Sequence, residues 1–172
     1  EHIVIDNSST DTTVSILRKI AVVDKNLKVI INSRNFGHIK SPVHGILQAN
    51  GDCVILMTSD FQDPVSLIPT YIKEWENGHK VVMAQKISSE ENIKMSYIRK
   101  LFYKTVKHIS EVPLLTNTTG TGLFDRKIIE EIRSINDPYP YFRGLISEIT
   151  DEIKLIPFHQ PKRFKGKSKN NF

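Results

Sequence analysis

The sequence is poor in cysteine and has no long apolar run, and each absence excludes a class of protein. Cys53 is the only cysteine among the 172 residues, so neither a disulfide framework nor a zinc site of paired cysteines can form within the chain. No stretch approaches the ~18 apolar residues of a membrane span, and the first residues lack a signal-peptide pattern. We therefore expect a protein of a reducing, cytoplasmic compartment.

A glycine-rich dinucleotide loop is missing as well. No GxGxxG pattern follows any predicted strand, which argues against a dinucleotide-dependent oxidoreductase. The hydrophobic share of 39% and the charged share of 25% are typical of a folded globular chain, and they argue against disorder. The length suits a single domain.

Basic residues collect near the end of the chain. The net charge is +5, and the last residues contribute Lys162, Arg163, Lys165, Lys167 and Lys169. This local excess favours one anionic ligand or surface over a generally basic protein. We predict no nucleic-acid partner.

Short β-branched runs alternate with helical patterns along the chain. The patterns predict strands at 2–5, 28–31, 53–57, 81–84 and 153–158, and helices at 13–23, 39–49, 64–77, 93–109, 123–133 and 142–149. For the helix at 64–77, Asp63 suits the N-cap, Pro64 the first turn and Gly78 the end. The alternation predicts an α/β fold with a mostly parallel sheet and flanking helices.

Two aspartates follow predicted strands and should share one edge of the sheet. Asp6 ends the first strand, and Asp60 comes shortly after the strand at 53–57. Ligands of open α/β sheets bind at the carboxyl ends of the strands. The alternative is that each acid only caps the turn that follows it.

Asp60 and Gln62 offer oxygen ligands of the kind that hard divalent cations prefer. Mg²⁺ or Mn²⁺ bound there would keep water and substrate phosphate oxygens as its other ligands. The two residues therefore predict a metal site that also receives a diphosphate.

Several segments, in this order, resemble one enzyme family. They are IVIDNSSTD at 3–11, RNFG at 34–37, GDCVILM at 51–57, DFQDP at 60–64, FRGL at 142–145 and RFKGKSK at 163–169. The chain resembles the family 2 glycosyltransferases of the GT-A fold, a Rossmann-like nucleotide-diphospho-sugar transferase architecture. The likeness is greatest to the polyprenyl-phosphate glycosyltransferases and dolichol-phosphate mannose synthases.

The resemblance implies transfer of a sugar, with inversion, from a nucleoside-diphosphate sugar to a polyprenyl phosphate or a saccharide. The residues implied for donor binding are Asp6 at the base or ribose, Arg34 and Asn35 at the nucleotide, Asp60 as the second acid of a DxD motif, Gln62 at the metal, and Arg163, Ser168 and Lys169 at the diphosphate. Asp60 and Arg163 would also act in catalysis by stabilising the leaving diphosphate. The basic segment could instead rest on anionic lipid headgroups, which makes a membrane surface a further expected partner.

Three departures from the family pattern bear on activity. Thr58 stands where the first DxD acid is usual, and Gly120 stands where many relatives carry an acid. A hydroxyl acceptor would then need another base, for which Glu148 is the candidate. Nothing ahead of Glu1 supplies the family's first strand and its nucleotide loop, so we expect residues 1–172 to form one catalytic domain without that strand. The rival reading is a non-catalytic module of the same fold that binds a nucleotide or a partner.

Overall fold

The computed structural model describes residues 1–88 and 118–161. Strands and helices alternate through most of these ranges. In chain order they are β1 (His2–Asp6), α1 (Thr13–Val23), β2 (Leu27–Ile31), α2 (Gly37–Gln48), β3 (Cys53–Leu56), a 3-10 turn (Val65–Leu67), α3 (Ile68–Glu76), β4 (Val81–Ser88), β5 (Thr118–Asp125), α4 (Arg126–Ile135), α5 (Phe142–Ile149) and β6 (Ile153–His159). The predicted helix at 93–109 lies outside the described residues.

The strands form two sheets, and this corrects one prediction. β1 and β2 pair in parallel, while the second sheet has the order β3, β5, β4, β6. Within it β5 runs antiparallel to both neighbours, and β4 and β6 are parallel. The α/β class is confirmed, but the described pairings divide evenly between parallel and antiparallel, so the prediction of a mostly parallel sheet was wrong in this respect.

The antiparallel strand β5 was not predicted. Its last residues, 123–125, were assigned to the start of a helix at 123–133. Leu123 and Phe124 are fully buried and belong to apolar clusters on opposite faces of the sheet, as neighbouring side chains of a strand must. The helix begins only at Arg126, where the Asp125 carboxylate accepts a hydrogen bond of 2.9 Å from the Lys127 backbone N–H. That bond is an N-cap.

The helix predicted at 64–77 also begins later than its capping pattern indicates. Pro64 has extended backbone, and the 3-10 turn separates it from α3. The Asp63 carboxylate does not cap the helix but accepts a hydrogen bond from Thr58, so the capping prediction was wrong. Gly78 ends the helix as predicted, with φ of +103°, and its N–H bonds the Trp75 carbonyl at 2.8 Å.

The core lies on both faces of the β4 and β5 pair. On one face Val81, Met83 and Phe124 pack against α2, α4 and α5. On the other face Val82 and Leu123 pack against α3 and β6. The alternation of buried residues along β4 follows the period of two that a strand buried on both faces requires. Two layers of helix therefore hold the four-stranded sheet rigid between them.

The topology brings several strand ends to one edge, called here the site edge. Because β5 is antiparallel to β3 and β4, its first residue, Thr118, lies with the carboxyl ends of those strands. A hydrogen bond of 2.5 Å from the Asn50 N–H to the Glu1 carboxylate joins the amino ends of β1 and β3. These two strands therefore begin close to one another.

Candidate functional site

A cluster of one hydroxyl and two carboxylates follows β3 at the site edge. The Thr58 hydroxyl lies 2.8 Å from Asp60 Oδ1 and 2.7 Å from Asp63 Oδ2. The Gln62 backbone N–H donates to Asp60 Oδ1 at 3.2 Å. Thr58 thus ties the half-buried Asp60 to Asp63, which is only 4% exposed.

The turn that carries this cluster is tight. Phe61 has φ of +58°, a left-handed conformation that costs a non-glycine residue roughly 1–2 kcal/mol, and its ring is 71% exposed. The turn folds Gln62 and Asp63 back toward Thr58. Strained backbone of this kind is concentrated at functional sites, so the geometry favours a binding role for the turn.

Thr58 has a positioning role that the resemblance did not imply. A hydroxyl carries one proton, so it can donate to only one of the two carboxylates at a time. Replacing Thr58 by valine should weaken binding of Mn²⁺ at Asp60 about tenfold, because one hydrogen bond to a carboxylate contributes about 1.5–3 kcal/mol. Titration with Mn²⁺, followed by electron paramagnetic resonance, measures this affinity.

Thr58→Ser keeps the hydroxyl and should restore the Mn²⁺ affinity of the unaltered protein. Ser59→Ala, at the exposed neighbouring position, is the matched control and should leave that affinity unchanged. An unchanged Mn²⁺ affinity in the valine variant would show that Thr58 does not position Asp60.

The floor beneath the cluster is apolar and closed to solvent. Tyr71 is fully buried, and burial, with a smaller contribution from the negative charge of Asp63, raises the pKa of its hydroxyl to about 12. Neither the Tyr71 hydroxyl nor Asp63 Oδ1 has a hydrogen-bond partner among the described residues. The Asp63 carboxylate therefore lies in a weakly screened environment, where electrostatic interactions are strong, whereas the half-buried Asp60 is accessible to solvent.

Asp6 forms a second buried carboxylate, at the end of β1. It is 4% exposed, and its Oδ2 accepts a hydrogen bond of 3.0 Å from the Ser9 N–H. Hydrogen bonds from the side chain and backbone of Ser9 hold the pKa of Asp6 below its ordinary value of 3.8, against the opposing effect of burial. Asp6 is therefore an anion at neutral pH.

Asp6→Asn should make the stability of the protein less sensitive to acid. Because folding lowers the pKa of Asp6, the ionised group stabilises the fold above pH 3.8, and this contribution is lost as the pH falls below that value. We expect the variant to be less stable by about 1 kcal/mol at pH 7, with a difference that shrinks in acid. Urea unfolding at pH 7, 4 and 3 measures this, and a difference that grows in acid would contradict it.

An amide network joins the ends of β1 and β2 to the start of α2. The Asn7 amide donates to Asn35 Oδ1 at 2.9 Å, and the Asn32 amide donates to Asn7 Oδ1 at 3.1 Å and to the Ser41 hydroxyl at 3.0 Å. The Arg34 guanidinium lies 4.3 Å from the centroid of the Phe36 ring. The predicted nucleotide contacts Arg34 and Asn35 are thus held beside the end of β1.

A cavity of about 250 Å³ adjoins this network, and its lining residues are Asn32, Phe36, Lys40, Ser41 and His44. The Lys40 ammonium lies 3.5 Å from the centroid of the Tyr139 ring. The volume of this cavity is slightly below the ~300–1,000 Å³ of a complete small-molecule binding site. It is therefore suited to one part of a larger ligand.

The residues after β3 fit a cation that is shared with a substrate. In the described ranges, no group of three or more His, Cys, Asp or Glu side chains is arranged to hold a metal by itself. Mg²⁺ in phosphate-handling sites takes one or two protein carboxylates and completes its shell with phosphate oxygens and water. Asp60, with Gln62 beside it, supplies a donor set of that size.

The remaining predicted residues lie elsewhere. Glu148 is exposed near the end of α5, which leads into β6 at the edge opposite the site edge, so the structure does not bring it to Asp60. Arg163, Ser168 and Lys169 lie outside the described residues.

Sequence reasoning missed the structural roles of Thr58, Asp63 and Asn7. The hydroxyl and the acids at 58–63 were visible in the sequence. Thr58 was interpreted as the loss of a metal ligand, and Asp63 as a helix cap.

The family is decided by comparison with known proteins. Residues 1–133 match the model described as "Glycosyl transferase family 2". The chain belongs to glycosyl transferase family 2. This confirms the resemblance inferred from the motifs.

Curated members of family 2 match nearly the whole chain. It is 28% identical over 170 residues to the "Uncharacterized glycosyltransferase YkcC" of Bacillus subtilis, covering 98% of this chain and 53% of that protein. It is 29% identical over 173 residues to the "Bactoprenol glucosyl transferase" of Shigella phage SfV, covering 99% of this chain and 56% of that protein. The chain therefore spans about half the length of the curated relatives it matches.

Solved structures show the fold of family 2. Residues 1–349 of S. aureus TarS match with a TM-score of 0.55 at 18% identity, over 90% of this chain and 48% of that chain. The same region of TarS in complex with UDP matches with a TM-score of 0.52 at 20% identity, over 90% and 47% of the two chains. The fold is the GT-A fold.

In the part of the chain that the structure describes, no helix combines the length and the apolar character needed to cross a bilayer.

Proposed function

We propose that this family 2 chain transfers a sugar from a nucleoside-diphosphate sugar to a polyprenyl phosphate, with inversion at the anomeric carbon. The observation that carries the proposal is the cluster of Thr58, Asp60 and Asp63, which lies over a closed apolar floor at the site edge. A carboxylate that is fixed by hydrogen bonds and accessible to solvent, as Asp60 is, is suited to hold a diphosphate through a shared divalent cation.

The donor would lie along the site edge. Its nucleoside would contact Asp6, Arg34 and Asn35, because the amide network fixes Asn35 beside the end of β1, and the cavity next to α2 could receive part of it. Its diphosphate would lie at Asp60 and Gln62. Arg163, Ser168 and Lys169 are proposed to contact the same diphosphate.

The reaction is a displacement at the anomeric carbon. An oxygen of the acceptor phosphate forms the new bond to that carbon, and the bond from the carbon to the donor diphosphate breaks on the opposite face. The nucleoside diphosphate leaves with the bonding electron pair, so negative charge grows where Asp60 and the basic residues are proposed to act. A bound Mg²⁺ or Mn²⁺ would neutralise part of that charge.

A phosphate acceptor agrees with the acid–base groups at the site. A phosphate oxygen is already anionic and needs no general base, and the structure places the candidate base Glu148 away from Asp60. The relative from Shigella phage SfV is named as acting on bactoprenol, which supports a lipid acceptor. Such an acceptor would bring the intact protein to the cytoplasmic surface of a membrane.

Turnover with a panel of nucleoside-diphosphate sugars tests the proposal. The intact protein is incubated with each donor, Mn²⁺ and a short-chain polyprenyl phosphate, and release of the nucleoside diphosphate and formation of the glycosyl phospholipid are followed by ³¹P NMR. Metal-dependent product from one donor, of opposite anomeric configuration, is expected. Donor binding without turnover in the presence of Mn²⁺ and acceptor would instead support the non-catalytic reading.

A further inference from the structure

Arg143 is a cation at the site edge to which the preceding function assigns no role. It is the second residue of α5, and its Nη1 donates a hydrogen bond of 3.0 Å to the carbonyl oxygen of Thr118, the first residue of β5. Thr118 is buried and Arg143 is half-buried. The bond therefore holds the guanidinium group at the end of the central sheet.

The Arg143 side chain passes close to a glycine. Gly120 has φ of +83°, and a Cβ atom there would lie 3.7 Å from Arg143 Cγ and Cδ. The side chain thus passes over the backbone of Gly120. On its other side, the guanidinium carbon lies 5.6 Å from the centroid of the Tyr141 ring. The group is held by a carbonyl, a glycine and an aromatic ring.

None of these three neighbours neutralises the charge of Arg143. No ion pair joins it to a carboxylate of the described residues. Within those residues, one of its five N–H donors is engaged, by the Thr118 carbonyl. A half-buried guanidinium that is held but not neutralised has its remaining donors available for an anion, and their planar arrangement suits phosphate oxygens.

The direction of β5 places this cation at the same edge of the sheet as the proposed donor site. Leu56, at the carboxyl end of β3, pairs with Gly122 of β5, and Thr118 pairs with Gln85 toward the carboxyl end of β4, across an irregularity in the register. Arg143, which bonds the Thr118 carbonyl, therefore lies at the site edge, to which the Thr58 and Asp60 cluster also belongs.

We propose that Arg143 binds the phosphate group of the acceptor, a phosphate monoester of a polyprenol, and orients its oxygen toward the donor. This inference rests on the proposed function. It explains how an acceptor with two negative charges can approach a site that already contains a carboxylate and a diphosphate.

Arg143→Gln tests the inference, because a glutamine amide can still donate to the Thr118 carbonyl while the charge is lost. The matched control is Arg126→Gln, since Arg126 Nε donates to the Gly51 carbonyl at 2.9 Å beyond the opposite end of β3. Kinetics of the intact protein give KM for the donor and for geranyl phosphate separately. Calorimetry measures binding of geranyl phosphate, geraniol and inorganic phosphate.

We expect Arg143→Gln to raise KM and Kd for geranyl phosphate about tenfold or more, with KM for the donor changed less than about twofold. Arg143→Lys should restore part of the loss, and Arg126→Gln should change neither constant. A larger effect on the donor than on the acceptor, or no effect on either, would overturn the assignment. Equal affinity for inorganic phosphate and geranyl phosphate would also overturn it, because the site would then not select a prenyl phosphate.

A failure of the proposed transferase function would give a different result from a failure of the Arg143 assignment. If the unaltered protein transfers no sugar but binds geranyl phosphate, and Arg143→Gln weakens that binding, the phosphate site stands and the transferase proposal fails.

Discussion

Replacing Asp60 by asparagine should lower the rate of sugar transfer by about a hundredfold, equivalent to about 2.7 kcal/mol of transition-state stabilisation. Asparagine has the same shape and can still accept hydrogen bonds from the Thr58 hydroxyl and the Gln62 N–H. Asparagine lacks the negative charge that would bind a cation next to the leaving diphosphate. The measurement is the maximal rate of nucleoside-diphosphate release at saturating donor and Mn²⁺.

The control for this change is Asp52→Asn, which removes the same charge at an exposed position before β3. This control variant should change the rate by less than about twofold relative to the unaltered protein, because exposed charges are well screened. Binding of Mn²⁺ in the presence of the nucleoside diphosphate, followed by electron paramagnetic resonance, should weaken in the Asp60 variant alone. Equal rates in the Asp60 variant and the unaltered protein would remove the main support for the proposed function.

Gly122→Ala should destabilise the whole domain, for a reason unrelated to chemistry. Gly122 pairs with Met83 at the centre of the second sheet, and its φ is +155°. A Cβ atom there would lie 2.2 Å from the Val82 carbonyl oxygen and 2.9 Å from Met83 Cα. Both are backbone atoms of a fully buried strand, so the strands would have to separate, and we expect a loss of more than about 4 kcal/mol.

Thermal unfolding measures this loss, which for a domain of this size corresponds to a decrease in Tm of about 8–16 °C. The matched control is Gly37→Ala. Gly37 has φ of +82° but no atom within 4 Å of an added Cβ, so its cost should be limited to the backbone strain of about 1–2 kcal/mol. Similar Tm values for the two variants would show that the close approach of β4 and β5 does not limit stability.

Much of the fold could be predicted because local patterns and the final structure agree. The amphipathic pattern at 13–23 and the helix at 142–149 coincide with α1 and α5. The carboxylates of Asp6 and Asp60 could be placed at an edge because each follows a short β-branched run that favours a strand. These assignments depend on residues close together in the sequence.

The errors arose where distant residues decide the local structure. Leu123 and Phe124 precede a helical pattern and were assigned to it, but burial against both faces of the sheet makes them strand residues. Asp63 precedes a proline and suits a helix cap, yet its carboxylate bonds Thr58 in the turn. A tertiary contact in the first case, and a side-chain contact within the turn in the second, outweighed a local preference of about 1 kcal/mol.

The sequence by itself determined the family, the α/β class and the residue types at the site, because motifs and hydrophobic periods are local properties of the chain. Only the tertiary structure decided that β5 runs antiparallel between β3 and β4, which brings Thr118 and the Arg143 bonded to it to the site edge. It also decided that Thr58 links two carboxylates and does not merely replace one. Strand direction and hydrogen-bond partners depend on which surfaces are buried together, and residues far apart in the chain supply those surfaces.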